Sequence, residues 1–92
     1  MELIPERVMI FGTFDVFHPG HRHFVEQALA EGKQLYIVVA RDATVLRFKD
    51  KVRHPETERM QALRDVFPNA TVLLGDLEDP MAHVRLHRPE KI

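Results

Sequence analysis

Short apolar runs alternate along this chain with longer, half-apolar stretches, and the two periods separate its strands from its helices. Val8-Met9-Ile10-Phe11 is continuous, apolar and closed by Gly12, which predicts a short strand buried on both faces. Residues 21–31 carry Phe24, Val25, Ala28 and Leu29 at helical spacing, with Gly32 where a helix C-cap glycine is expected. Leu35-Tyr36-Ile37-Val38-Val39-Ala40, rich in β-branched residues, predicts the strongest strand. The polar, basic stretch 41–54 reads as a connecting loop with room for one helical turn. Pro55 then opens a second helix as its first residue, with Glu56 and Glu58 in the first turn. Met60, Leu63, Val66 and Phe67 face inward, and Pro68-Asn69 stops the helix. Residues 70–74 predict a third strand. Asp79-Pro80 reads as the N-cap and first residue of a short third helix, apolar at Met81, Val84 and Leu86, and residues 89–92 read as the start of a fourth strand.

Strand and helix alternating three times is the βαβαβα pattern of an α/β domain with a parallel sheet and right-handed crossovers. One domain, residues 1–92, accounts for the whole pattern. Ligands of such sheets sit beyond the carboxyl ends of the strands, near the switch point beside the first strand. The segment that leaves the first strand is therefore the place to look for chemistry.

Composition narrows the classes. The 92 residues carry a net charge of −1 with acids and bases interspersed, which argues against a nucleic-acid arm or a polybasic membrane patch. The absence of cysteine excludes disulfides, thiolate catalysis and cysteine-ligated zinc. The first seven residues have neither the apolar stretch nor the cleavage site of a signal peptide. No segment is long enough to span a membrane. The expectation is a cytoplasmic domain with neither nucleic acid nor membrane as partner.

Residues 12–21 read Gly-Thr-Phe-Asp-Val-Phe-His-Pro-Gly-His. A strand ends in this turn, and the next helix points its N-terminus back at it, an arrangement suited to a polyphosphate. His18 and His21 lie three apart across Pro19-Gly20 and can face one ligand. An imidazole gains a proton readily beside an anion, and can then stabilise charge on a pentacoordinate phosphorus or a leaving pyrophosphate. Gly20 permits close approach of the backbone to phosphate, Gly12 releases the chain from the strand, and Thr13 offers a hydroxyl and an N–H. Taken alone, the two histidines are compatible with ordinary surface residues or with a shared metal ion. The strand–turn–helix context favours phosphate. Asp15 has two readings, an Asx-type turn bond or a contact to a triphosphate-bound magnesium.

Gly12-Thr13-Phe14-Asp15 followed by His18-Pro19-Gly20-His21 resembles the signature of the cytidylyltransferase-like nucleotidyltransferases, small relatives of the class I synthetases with the HxGH motif. The resemblance implies a Rossmann-like sheet of order 3-2-1-4-5. It also implies transfer of a nucleotidyl group from a nucleoside triphosphate, ATP or CTP, to a phosphorylated acceptor, with release of pyrophosphate. His18 and His21 would then be catalytic, and Thr13 and Phe14 would line the nucleotide site. Gly12, Asp15, Pro19 and Gly20 would complete the phosphate-binding turn, magnesium would arrive on the triphosphate, and the protein would act as a homodimer. Residues 39–45, Val-Ala-Arg-Asp-Ala-Thr-Val, are similar to a stretch of archaeal-type FAD synthases, which adenylylate FMN. Glycerol-3-phosphate cytidylyltransferases are the second likeness, through a basic-loop lysine matched by Lys49 or Lys51. Arg59 matches an arginine placed to meet the triphosphate. Without the resemblance it reads as an exposed helix arginine.

The likeness covers the family domain only as far as its third helix. The later strands, a Gly-x-Asp nucleotide contact and a Ser/Thr-rich last segment have no counterpart, and Leu74-Gly75-Asp76 comes too early to be that contact. The expectation is strand order 3-2-1, either in a truncated domain or in one whose missing wall a partner subunit supplies, with the first strand left as an edge open to another chain. A nucleotide-binding domain without turnover is the alternative of another class.

Overall fold

The computed structural model describes residues 6–15, 19–47, 54–76, 78–79, 81–89 and 92. Three strands, β1 (Arg7–Gly12), β2 (Gln34–Val39) and β3 (Thr71–Leu74), form one parallel sheet in the order β1-β2-β3. Between and after them lie α1 (Pro19–Glu31), a four-residue turn of helix α2 (Asp42–Val45), α3 (Glu56–Val66) and α4 (Ala82–His87). The expected α/β class and the adjacency 3-2-1 are both present.

The register aligns Ile10 with Ile37 and Ile37 with Val72, one apolar row across all three strands. Side chains alternate across a pleated strand, so Val8, Ile10, Leu35, Ile37, Val39 and Val72 share a face. Val25 and Ala28 of α1 and Leu63 and Phe67 of α3 close over that face as the core. Tyr36 points to the other face, and its ring stacks on His87 with centroids 4.7 Å apart, which places α4 there. The sheet is thus covered on both sides, as continuous apolar strands require.

Several details depart from the sequence reading. The first helix starts at Pro19, ahead of His21, and Pro55 is the N-cap of α3 rather than its first helical residue. Gly32 follows α1 without adopting a left-handed conformation, since no described glycine has positive φ. Phe24 is largely exposed because it faces the edge of β1 that pairs with no strand among the described residues, not the core. Val66 is exposed at the last helical position, and Phe67 takes the core contact. The last helix begins at Ala82, three residues after Asp79, because the segment first turns on Asp76 and Asp79 carboxylates that accept N–H bonds from Glu78, Asp79 and Met81. Leu86 points to solvent, and α4 meets the sheet through its histidines instead. No strand forms among the described residues after α4, and no described helix is long and apolar enough to cross a membrane.

Candidate functional site at the carboxyl ends of the strands

The strand ladder continues past each strand's last residue. Ala40 N–H donates to Gly12 O at 2.9 Å and Gly75 N–H to Val39 O at 2.8 Å. These bonds hold residues 12–13, 40–41 and 75–76 side by side as one ledge. A cavity of about 290 Å³ opens on the ledge, lined by Gly12, Thr13, Ala40, Arg41, Thr44, Gly75 and Asp76, with Phe11 and Val38 as its apolar floor and His83 at one side.

The turn that leaves β1 is built around Phe14. Its ring is buried in the core and its φ is +53°, a conformation that costs an L residue about 1–2 kcal/mol. The ring packs against Gly12 so closely that a Cβ there would lie 2.6 Å from Phe14 Cε2. Gly12 is therefore required by a neighbouring side chain, not by its own dihedral angles. Asp15 reaches across the fold, its carboxylate accepting the His54 N–H at 2.8 Å. This joins the turn after β1 to the approach to α3.

Arg59 is the hub. It is 2 % exposed. Nε–H donates to His54 O at 3.0 Å, Nη1 donates to Thr13 O at 2.8 Å and to Ala40 O at 2.7 Å, and Nη2 donates to Asp42 Oδ1 at 2.6 Å. A single guanidinium thus fixes the exits of β1 and β2 and the start of α2. Glu56, three residues earlier on the same face of α3, accepts the Asp42 N–H at 3.0 Å. The exposed-arginine alternative does not hold. Position 59 lies four before Leu63, itself four before Phe67, so the buried stripe of α3 includes it and the sequence carried that signal.

Of the predicted residues, Gly12, Thr13, Phe14, Asp15 and Arg59 come together here, and Pro19, Gly20 and His21 form the first turn of α1. His18, Lys49 and Lys51 lie outside the described residues. Among the lining residues that escaped the sequence reading are the polar ones Arg41, Thr44, Asp76 and His83. Arg41 was within reach of it, because the residue just past a parallel strand's carboxyl end borders the site. Its Nε–H donates to Gly75 O at 2.6 Å, and Nη1 lies 4.0 Å from Glu56 Oε2. His83 Nε2–H donates to Leu74 O at 2.6 Å, and its Nδ1 is buried without a partner among the described residues.

Fold and ledge define a parallel α/β domain with an open cavity at the strands' carboxyl ends and with α1 as the helix that follows β1. A family model described as "Cytidylyltransferase-like" matches residues 9–90, and the chain belongs to that family. It is 40% identical over 86 residues to an FAD synthase of Methanospirillum hungatei, covering 94% of this chain and 54% of the relative. An FAD synthase of Methanoculleus marisnigri is 42% identical over 82 residues, covering 86% and 54%. The chain spans about half the length of these relatives. Among solved structures, the lipopolysaccharide core biosynthesis protein of Thermoplasma volcanium superposes with a TM-score of 0.83 at 32% identity, covering 94% of this chain and 70% of that one.

Proposed function

We propose that the protein transfers a nucleoside monophosphate from a nucleoside triphosphate to a phosphorylated acceptor, as an FMN adenylyltransferase. One observation carries this reading: the run from Gly12 to His21 leads from the carboxyl end of β1 into the first turn of α1, within a chain similar along nearly all its length to proteins named FAD synthase. An acceptor phosphate oxygen attacks the α-phosphorus in line, the new P–O bond forms, the bond to the β-phosphate oxygen breaks, and pyrophosphate leaves. His18 and His21 donate hydrogen bonds to the phosphates and stabilise the charge that builds there. Lys49 and Lys51 supply further positive charge. The nucleotide enters as its magnesium complex, the ion held mainly by the triphosphate. Arg59 holds the site's backbone in place instead of contacting the triphosphate. Catalysis is positioning and charge stabilisation, without a covalent intermediate.

The family's cytidylyltransferase-like description favours CTP as the alternative nucleotide, with glycerol 3-phosphate or another phospho-alcohol as its acceptor. The working state is a homodimer, a reading supported by the edge of β1, which pairs with no further strand among the described residues, and by the apolar side chains beside it. Pyrophosphate release with magnesium, ATP or CTP, and FMN or glycerol 3-phosphate tests the transfer. Release is expected with ATP and FMN together, and His18→Ala should lower turnover by roughly a hundredfold or more. Wild-type turnover in that variant would remove His18 from catalysis. No release from the folded chain with any pair would favour nucleotide binding without transfer.

A further inference from the structure

The phosphate-binding turn leaves one built feature of the ledge unexplained: a guanidinium fixed at the wall of a largely apolar cavity. Resting on the transfer reading above, we propose that this cavity receives the acceptor and that Arg41 is its specificity-determining residue, binding the acceptor's phosphate.

Position supports this first. Thr13 belongs both to the phosphate-binding turn and to the cavity lining, so a molecule in the cavity ends beside the place where the nucleotide's phosphates are held. The cavity itself lies toward Val38 and Phe11, whose side chains share the α4 face with Tyr36, whereas α1 covers the opposite face. Two substrates can therefore reach the ledge from its two sides, with their phosphates meeting at the end of β1.

Chemistry supports it next. Phe11, Val38 and Ala40 offer an apolar surface, and about 290 Å³ accommodates the body of a small organic molecule. Among the described residues, Arg41 is the cation in that lining. Arg59 is close by, but four of its donor bonds end on three main-chain carbonyls and Asp42. Arg41 differs in construction. Its Nε–H is tied to Gly75 O at 2.6 Å, which pins the planar group between the exits of β2 and β3, while the side chain stays 38 % exposed. Its carboxylate neighbour is distant, Glu56 Oε2 at 4.0 Å, and the other oxygen of Glu56 already accepts the Asp42 N–H. A guanidinium anchored through Nε, with Nη groups only loosely paired, is preorganised for a phosphate's oxygens.

The test separates phosphate from body and acceptor from nucleotide. Binding of FMN and of riboflavin, which lacks the phosphate, is followed by flavin fluorescence for the wild-type chain, Arg41→Gln and Arg41→Lys. Magnesium-ATP binding is measured on the same proteins by calorimetry. Arg41→Gln should weaken FMN about tenfold or more, the scale of a lost charged hydrogen bond, and leave riboflavin and magnesium-ATP unchanged. Arg41→Lys, which keeps the charge without the Gly75 anchor, should fall between. Equal FMN affinity in wild type and Arg41→Gln would overturn the proposal. So would equal losses for FMN and riboflavin, a matching loss for magnesium-ATP, or a wild-type chain that binds neither FMN nor glycerol 3-phosphate. None of these measurements needs turnover. Arg41-dependent FMN binding without pyrophosphate release would therefore sink the transfer reading and leave the phosphate assignment standing.

Discussion

Replacing Arg59 by methionine keeps the apolar stem and removes every donor that Thr13, Ala40, His54 and Asp42 now use. Those acceptors would face a buried gap with nothing to bond, and the Asp42 carboxylate would lose its ion-pair partner. Asp42 is 34 % exposed and keeps water, so the larger loss falls on the main-chain carbonyls left without a donor, about 1–3 kcal/mol for each that stays unsatisfied, and the fall in thermal midpoint should be correspondingly large. Arg59→Lys should recover only part of it, because an ammonium cannot span carbonyls set around a planar fork. An Arg59→Met protein that melts like wild type would show that the hub carries no weight. At this scale the sequence identified the residue and missed its use. A helix arginine is visible in the spacing of α3, but partners 46 and 19 residues away are set by the sheet register. Gly12 is similar: its place at a strand end was legible, while the Phe14 ring that forbids a Cβ is brought back from two residues on by a positive φ that the residue type does not announce.

Elements were more legible where they are long. The runs 8–11 and 35–40 found β1 and β2 to within a residue or so, because β-branched and apolar side chains crowd there. The start of α4 was misplaced because its apolar signal is thin and two aspartate-based turns intervene. Its end shows a conflict between residue and backbone. Arg88 adopts φ +49° and ψ +59°, donates its N–H to Val84 O, and precedes Pro89, a left-handed cap more often given to glycine. Arg88→Gly should relieve about 1 kcal/mol of that strain and raise the midpoint of urea unfolding with an unchanged m-value. A lower midpoint would mean that the arginine side chain contributes more than its backbone costs.

For the whole molecule, the pattern of alternating elements was enough to give a parallel sheet in the order found, since crossover rules leave few arrangements. The wall of the site on the α4 face was not legible. It depends on where a six-residue helix settles, and histidines rather than a hydrophobic stripe settle it. The other edge of the molecule carries a consequence for assembly. β1 pairs only with β2 among the described residues, and Phe11, Phe24 and Ile92 are exposed around a groove beside that edge. Sedimentation velocity over a hundredfold range of concentration should show reversible dimers, and Phe24→Lys should shift them to monomer. A wild-type chain that stays monomeric throughout would remove the homodimer reading.

The row Ile10–Ile37–Val72 has a kinetic meaning as well. Each of its two pairings closes a loop that holds at least one whole helix, so no part of the sheet forms from neighbours in sequence. Chains of this topology fold more slowly than helical bundles of equal size, because loop closure precedes any gain from contact. Ile37 belongs to both pairings and is shared by whatever nucleus forms, whereas α4 docks onto a finished sheet. Loss of a methyl group at Ile37 would therefore appear chiefly as slower folding, and weakening α4 chiefly as faster unfolding. The order in which the site is assembled would follow: the ledge first, its outer wall last.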